Sequence, residues 1–147
     1  MYEKKVLGLE EVQKAMEAMI KEAPKGSGRP VSLAIVDEVG NLIMLVRTDG
    51  ARPFNSDMAI KKAYTAARWK SDTAALAERI PKKYMQGILE FGNEYTTVLG
   101  GVAISKRGEP GTVYGGIGCA GRIPADEDDA IARVGLKAMQ DALWPSK

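Results

Sequence analysis

The chain contains no histidine. That absence removes His-based catalytic triads, His-ligated zinc and His-ligated haem together. Cysteine occurs once, at Cys119, so no intrachain disulfide forms and the fold does not depend on an oxidising compartment. Charge of one sign is also scarce: 21 Lys and Arg against 19 Asp and Glu leave a net charge of +2. Without a basic run, nothing favours a nucleic-acid partner. No segment approaches the roughly 18 apolar residues of a membrane helix. Met1 to Ile20 mixes apolar residues with Glu3, Glu10, Glu11 and Glu17, unlike a secretory signal. These absences predict a cytoplasmic protein with neither a membrane nor a nucleic-acid partner. What remains is 147 residues, 45% hydrophobic and 27% charged, enough for one domain over residues 1–147 with its own core.

Spacing supplies the elements. Leu9, Val12, Met16, Met19, Ile20 and Ala23 recur at three- and four-residue intervals, predicting an amphipathic helix over 9–23 that Pro24 and Lys25-Gly26-Ser27-Gly28 end. Val31–Val36 and Leu42–Arg47 read as a hairpin around Gly40 and Asn41. Both faces of the second strand are apolar, which predicts a sheet covered on both sides. A second helix is expected from about Ser56, an N-cap residue, with Ala59, Ala63, Ala66 and Ala67 turned inward. A short helix from Asp72 or Thr73 to Arg79 follows, then a less regular stretch from Pro81 to Phe91. Leu99–Ser105 and Thr112–Ala120 form a second hairpin, and a last helix runs from about Glu127 to Leu143. Hairpins need no crossover, so the sheet is antiparallel with helices packed on it.

Several motifs invite chemistry. Gly116-Ile117-Gly118-Cys119-Ala120-Gly121 spells the G-x-G-x-x-G dinucleotide fingerprint, but only 26 residues follow it and Pro124 intervenes before the helix. The fingerprint requires a parallel β-α-β unit, so the nucleotide reading is rejected. As a strand, the same segment aligns Tyr114, Gly116, Gly118 and Ala120 on one face. A glycine-lined strip admits either a packed helix or a flat ligand. Asp126, Glu127, Asp128 and Asp129 lack the spacing of a calcium loop and read as helix-capping carboxylates, so no metal is assigned. Cys119 reads as a buried, inert thiol. Arg47 either reaches solvent from its strand end or holds an anion in a pocket. Lys62, Lys106 and Tyr114 complete the candidate acid, base or anion-binding groups.

The stretches Arg47-Thr48-Asp49-Gly50-Ala51 and Ala59-Ile60-Lys61-Lys62-Ala63-Tyr64-Thr65-Ala66-Ala67 resemble the GlcG/HbpS-like family, often labelled a haem-degrading domain and similar to the C-terminal domain of PduO-type proteins. Gly100-Gly101-Val102-Ala103-Ile104 resembles its GG-x-P-I strand, with Ala103 where proline is usual. Gly115–Gly121 resembles its GAIGVSG strand, and Asp128–Gly135 its closing helix. The resemblance spans nearly the whole chain. It implies an α/β protein of the α+β type, profilin-like, with a five-stranded antiparallel sheet flanked by helices, assembled as a homo-oligomer. It also implies a small-molecule ligand, with haem or another tetrapyrrole as candidate cofactor. Histidine ligation is excluded here, and aromatic residues at 6% offer few rings to sandwich a porphyrin.

By motif match, Arg47, Asp49, Lys62, Gly100, Gly101 and Gly118 are the expected ligand-binding residues. Arg47 and Lys62 would hold carboxylates, and Asp49 would orient a cation or the adjacent turn. One alternative is a cofactor-independent enzyme acting on a small carboxylated or hydroxylated metabolite, with Lys62 or Tyr114 as acid or base. Another is an oligomeric accessory protein that docks on a larger enzyme through an apolar patch.

Overall fold

The computed structural model describes residues 1–92 and 94–146. Helix α1 (Leu9–Glu22) leads into strands β1 (Ser32–Asp37) and β2 (Leu42–Arg47). Helices α2 (Pro53–Trp69), α3 (Thr73–Arg79) and α4 (Lys82–Phe91) follow, then β3 (Gly101–Ile104), β4 (Gly115–Ala120) and α5 (Asp126–Leu143). The strands form one sheet in the order β2-β1-β4-β3, every neighbouring pair antiparallel. Both hairpins are present, but among the described residues the sheet has four strands rather than the five that the resemblance implied.

Helices cover both faces, as the apolar strands required. On one side α1 and α5 bury Val12, Met16, Met19, Ile131 and Met139 against Leu33, Ile35, Ile104, Ile117 and Cys119. Each large apolar side chain removed from water there contributes about 1.5–3 kcal/mol. On the other side α2 lies along β1 and β4 through Ala59, Ala63 and Ala67, against Ala34, Val36 and Ala120. Complete coverage holds for β1 and β4, whereas β2, at the sheet edge, is only half-buried.

Several element boundaries differ from expectation: β3 starts two residues after Leu99 and β4 three residues after Thr112. α2 begins at Pro53, with Arg52 as its extended N-cap. Proline's fixed φ and missing N–H suit the first helical position, and this displaces Ser56 into the helix. There the Ser56 hydroxyl meets that of Ser32 at 3.0 Å. The stretch after Pro81 is a regular ten-residue helix with Pro81 as its cap.

The glycine strip is closed. A Cβ on Gly118 would overlap the carbonyl of Ala59, and one on Gly116 the carbonyl of Ala63. Gly101 meets the carbonyl of Lys62 and the Thr73 methyl in the same way. Of the two occupants a bare strand admits, α2 is the one present. Its alanine stripe and the glycines let two backbones approach closely.

Candidate functional site

One side chain in the alanine stripe of α2 is not small. Lys62 falls among Ala59, Ala63 and Ala66, so the helix carries its ammonium into the interior, where the residue is 2% exposed. Its Nζ donates to the Cys119 carbonyl at 2.8 Å and to Asp128 Oδ2 at 3.1 Å. Gly100, at φ 118°, makes room for this group: a Cβ there would stand 3.0 Å from Nζ and 2.5 Å from the Cys119 carbonyl.

Asp128 sits on the buried stripe of α5 with Ile131, Ala132 and Gly135. Its other oxygen accepts the Arg122 backbone N–H at 3.1 Å and the Cys119 thiol at 3.5 Å. Burial pushes the Asp128 carboxyl above its ordinary range, opposed by the Lys62 charge and by the hydrogen bonds it accepts. The Cys119 thiol is driven well up, first by burial and then by Asp128, which makes it the inert group expected from sequence. The capping account of Asp126–Asp129 is corrected: α5 has no side-chain cap, and Glu127 and Asp128 turn to tertiary partners instead.

Glu127 accepts from the Ser27 hydroxyl at 2.7 Å and from Arg122 Nη1 at 2.6 Å, and both contacts hold its carboxyl below the usual range. The Arg122 guanidinium, almost fully buried, also donates to the carbonyls of Ala23 and Lys25. It therefore fastens the loop after α1 to the start of α5.

Beside the Lys62–Asp128 pair opens a hollow of about 570 Å³. Asn55, Met58 and Lys62 line it from α2, Gly121 and Arg122 from the end of β4, and Asp128 from α5. Arg29 and Arg52 stand exposed at its rim, with no ion pair among the described residues. Large apolar side chains share that rim: Phe54 is 66% exposed, Val98 45% and Ile123 78%. The volume lies within the range of small-molecule sites.

The residues expected from sequence divide. Lys62 lines this hollow, and Gly100 abuts its ammonium. Gly101 and Gly118 lie beneath α2 and offer no surface to a ligand. Arg47 and Asp49 are exposed and line a second hollow of about 460 Å³, which shares only Arg29 and Pro30 with the first. Tyr114 packs with the core on the α1/α5 side, its ring 5.4 Å from that of Trp144, apart from Lys62. Lys106 pairs with Glu109 at 2.7 Å in the β3–β4 connection. Among the described residues no cluster of acidic, cysteine or histidine side chains suits a metal ion. Asp128 was legible as a buried position from its spacing with Ile131 and Ala132, whereas Arg29 and Arg52 precede their elements and carry no periodic signal.

The model of the haem-degrading HbpS-like family matches residues 7–137. The chain belongs to this family. A Streptomyces reticuli HbpS double mutant superposes with a TM-score of 0.79 at 35% identity, over 93% of this chain and 89% of that one. A PduOC:heme complex matches with a TM-score of 0.80 at 26% identity, over 91% of this chain and 95% of the other. A 15.0 kDa protein from the dhaT-dhaS intergenic region of Citrobacter freundii is 27% identical over 76% of this chain and 78% of its own length. As an HbpS-like protein the chain is a candidate for a haem-related ligand, and no helix among its described residues is long and apolar enough to cross a membrane.

Proposed function

We propose that this HbpS-like protein binds a carboxylate-bearing small ligand, with haem or a related tetrapyrrole as the first candidate, in the hollow beside Lys62. One observation carries the reading: two guanidiniums with no ion pair among the described residues, Arg29 and Arg52, border a cavity whose rim also exposes Phe54, Val98 and Ile123. Apolar rim and cations together suit a ligand with a flat hydrophobic body and acidic arms. The donor set fits haem in part. Arg29 and Arg52 would hold the propionates, and Met58 is the thioether lining the hollow that offers an iron ligand in place of histidine. Bound haem iron supplies one-electron and oxygen chemistry. The haem complex of a 26%-identical relative supports this choice of ligand. Adding haem to the protein and following absorption tests it: a Soret shift that saturates at micromolar haem is expected, and an unchanged spectrum excludes the tetrapyrrole.

A second reading, an enzyme for a small carboxylated metabolite, is favoured by the buried Lys62–Asp128 pair at the cavity wall. Of the two acid or base candidates expected from sequence, Lys62 lines this hollow, whereas Tyr114 packs on the α1/α5 side. Self-association is proposed through β2, an edge strand whose Leu42 is half-exposed, and sedimentation velocity tests it.

A further inference from the structure

A lysine ammonium held in the protein interior against a carboxylate is costly for a scaffold that needs only to fold. Taking both charges out of water consumes much of their attraction, and apolar residues of similar volume would serve as well or better. Here the pair does not sit in the middle of the core. Lys62 and Asp128 both form part of the wall of the hollow. Lys62 Nζ has two protein partners, the Cys119 carbonyl and Asp128, which leaves one of its three N–H groups without a partner among the described residues. The exposed guanidiniums of Arg29 and Arg52 stand at the opening of the same cavity. Along α2, Asn55, Met58 and Lys62 recur at spacings of three and four, so one helix stripe, about 10 Å of backbone at 1.5 Å per residue, supplies this side of the wall.

We propose that Lys62 is an imine-forming lysine: the hollow admits a short aliphatic oxo acid whose carboxylate sits on Arg29 and Arg52 and whose carbonyl carbon condenses with Nζ. The inference goes beyond ligand binding, and it rests on the reading that this hollow accepts carboxylates. Condensation balances within the pair. Asp128 takes a proton from the ammonium, and the freed amine attacks the carbonyl carbon to form a C–N bond. The carbonyl oxygen receives the Asp128 proton, giving a protonated carbinolamine. Asp128 then removes a proton from nitrogen and returns it to the hydroxyl, which leaves as water while the C=N bond forms. The products are a protonated imine, carboxylate and one water, so charge and atoms are conserved and no oxidant is needed. The upward displacement of the Asp128 carboxyl by burial favours its part as proton carrier. Burial of the amine is a general route to lysine condensation with carbonyl compounds, and Asp128, 3.1 Å from Nζ, stands where a proton acceptor is needed.

The test traps the imine in the intact wild-type protein. Succinic semialdehyde with sodium cyanoborohydride is compared with butyraldehyde, which has the aldehyde but no carboxylate, and adducts are mapped by peptide mass spectrometry. Lys61, the half-buried chain neighbour, is the internal reference. The carboxylated aldehyde should label Lys62 about 10-fold more than butyraldehyde does, the effect of one charge-assisted contact, while Lys61 shows no such preference. Labelling of Lys62 no greater than that of Lys61, or indifferent to the carboxylate, overturns the proposal. Amide chemical shifts of Gly121 and Arg122 on adding succinate, which has carboxylates but no aldehyde, read the hollow's anion affinity separately. Shifts without an adduct overturn the imine alone; neither shifts nor adduct overturns the binding reading as well. Lys62→Arg, if its circular dichroism is native, should abolish the carboxylate-dependent adduct, and persistence of that adduct in the variant overturns the assignment to Lys62.

Discussion

Replacing Lys62 with methionine tests whether the ion pair is as buried as its geometry indicates. The side chains of Lys62 and Asp128 are each 2% exposed, and the ammonium lies 3.1 Å from the carboxylate. Lys62→Met keeps most of the volume of the stem and removes the charge. Among the described residues Asp128 would then retain the Arg122 N–H at 3.1 Å and the weak Cys119 thiol at 3.5 Å. Breaking a buried pair from one side costs roughly 3–5 kcal/mol, a large part of the 5–15 kcal/mol typical of a domain. For a chain of this size that loss lowers Tm by about 10–16 °C. The cost must also depend on pH. The Asp128 carboxyl already titrates above its ordinary value of 3.8 in the folded protein, so the native state binds its proton more readily than the unfolded chain does. Stability contributed by this group therefore falls as pH rises from the unfolded value through the raised native one. Without Lys62 the native value rises further and the window widens, so the penalty of Lys62→Met should be smaller in mild acid than at pH 8. Urea unfolding across that range, read by circular dichroism, measures it. Lys62→Met with Asp128→Leu should recover most of the loss. A single-variant cost below about 1 kcal/mol at every pH would refute the buried pair, because exposed pairs contribute no more than that.

Gly118→Ala should cost about 3 kcal/mol or prevent folding, since its methyl would run into the Ala59 carbonyl of α2; thermal unfolding decides it. Gly87→Ala should instead raise stability by about 0.5–1 kcal/mol, because the methyl meets nothing within 4 Å and alanine favours the helix. Glu127→Gln should lower Tm at neutral pH. Because the folded Glu127 carboxyl lies below its ordinary 4.5, its stabilisation is present above that value and is lost as pH falls through the native one, so the two Tm curves converge in acid. Cys119 should ignore a thiol reagent in the native protein and react fully once unfolded, and rapid native labelling would contradict its burial.

Element type was legible wherever one periodicity dominated. The helix expected from the apolar spacing of α1 and the β-branched and aliphatic first hairpin are present, the second hairpin is present with shorter strands, and the inward alanines of α2 lie where their spacing places them. The glycines of β4 were ambiguous for a physical reason: a missing Cβ accommodates a close helix and a flat ligand equally, and only the position of α2 decides. Asp128 was read as a capping group because helix dipoles attract carboxylates, although its register with Ile131 and Ala132 marked it as buried. Lys62 carried the same signature, a charged residue on an apolar stripe. Arg47 and Asp49 were grouped with Lys62 by motif proximity, but the turn after β2 places them in the neighbouring hollow. Arg29 and Arg52 precede β1 and α2, where no spacing predicts which cavity a side chain borders.

The placement of the ligand is tested most directly by an amide NMR titration with gallium protoporphyrin, a diamagnetic stand-in for haem. Shifts should concentrate on Gly50, Arg52 to Met58 and Gly121 to Ile123, the segments around the hollow beside Lys62. Shifts confined to Val46–Asp49, or a spectrum that does not move, would contradict the account.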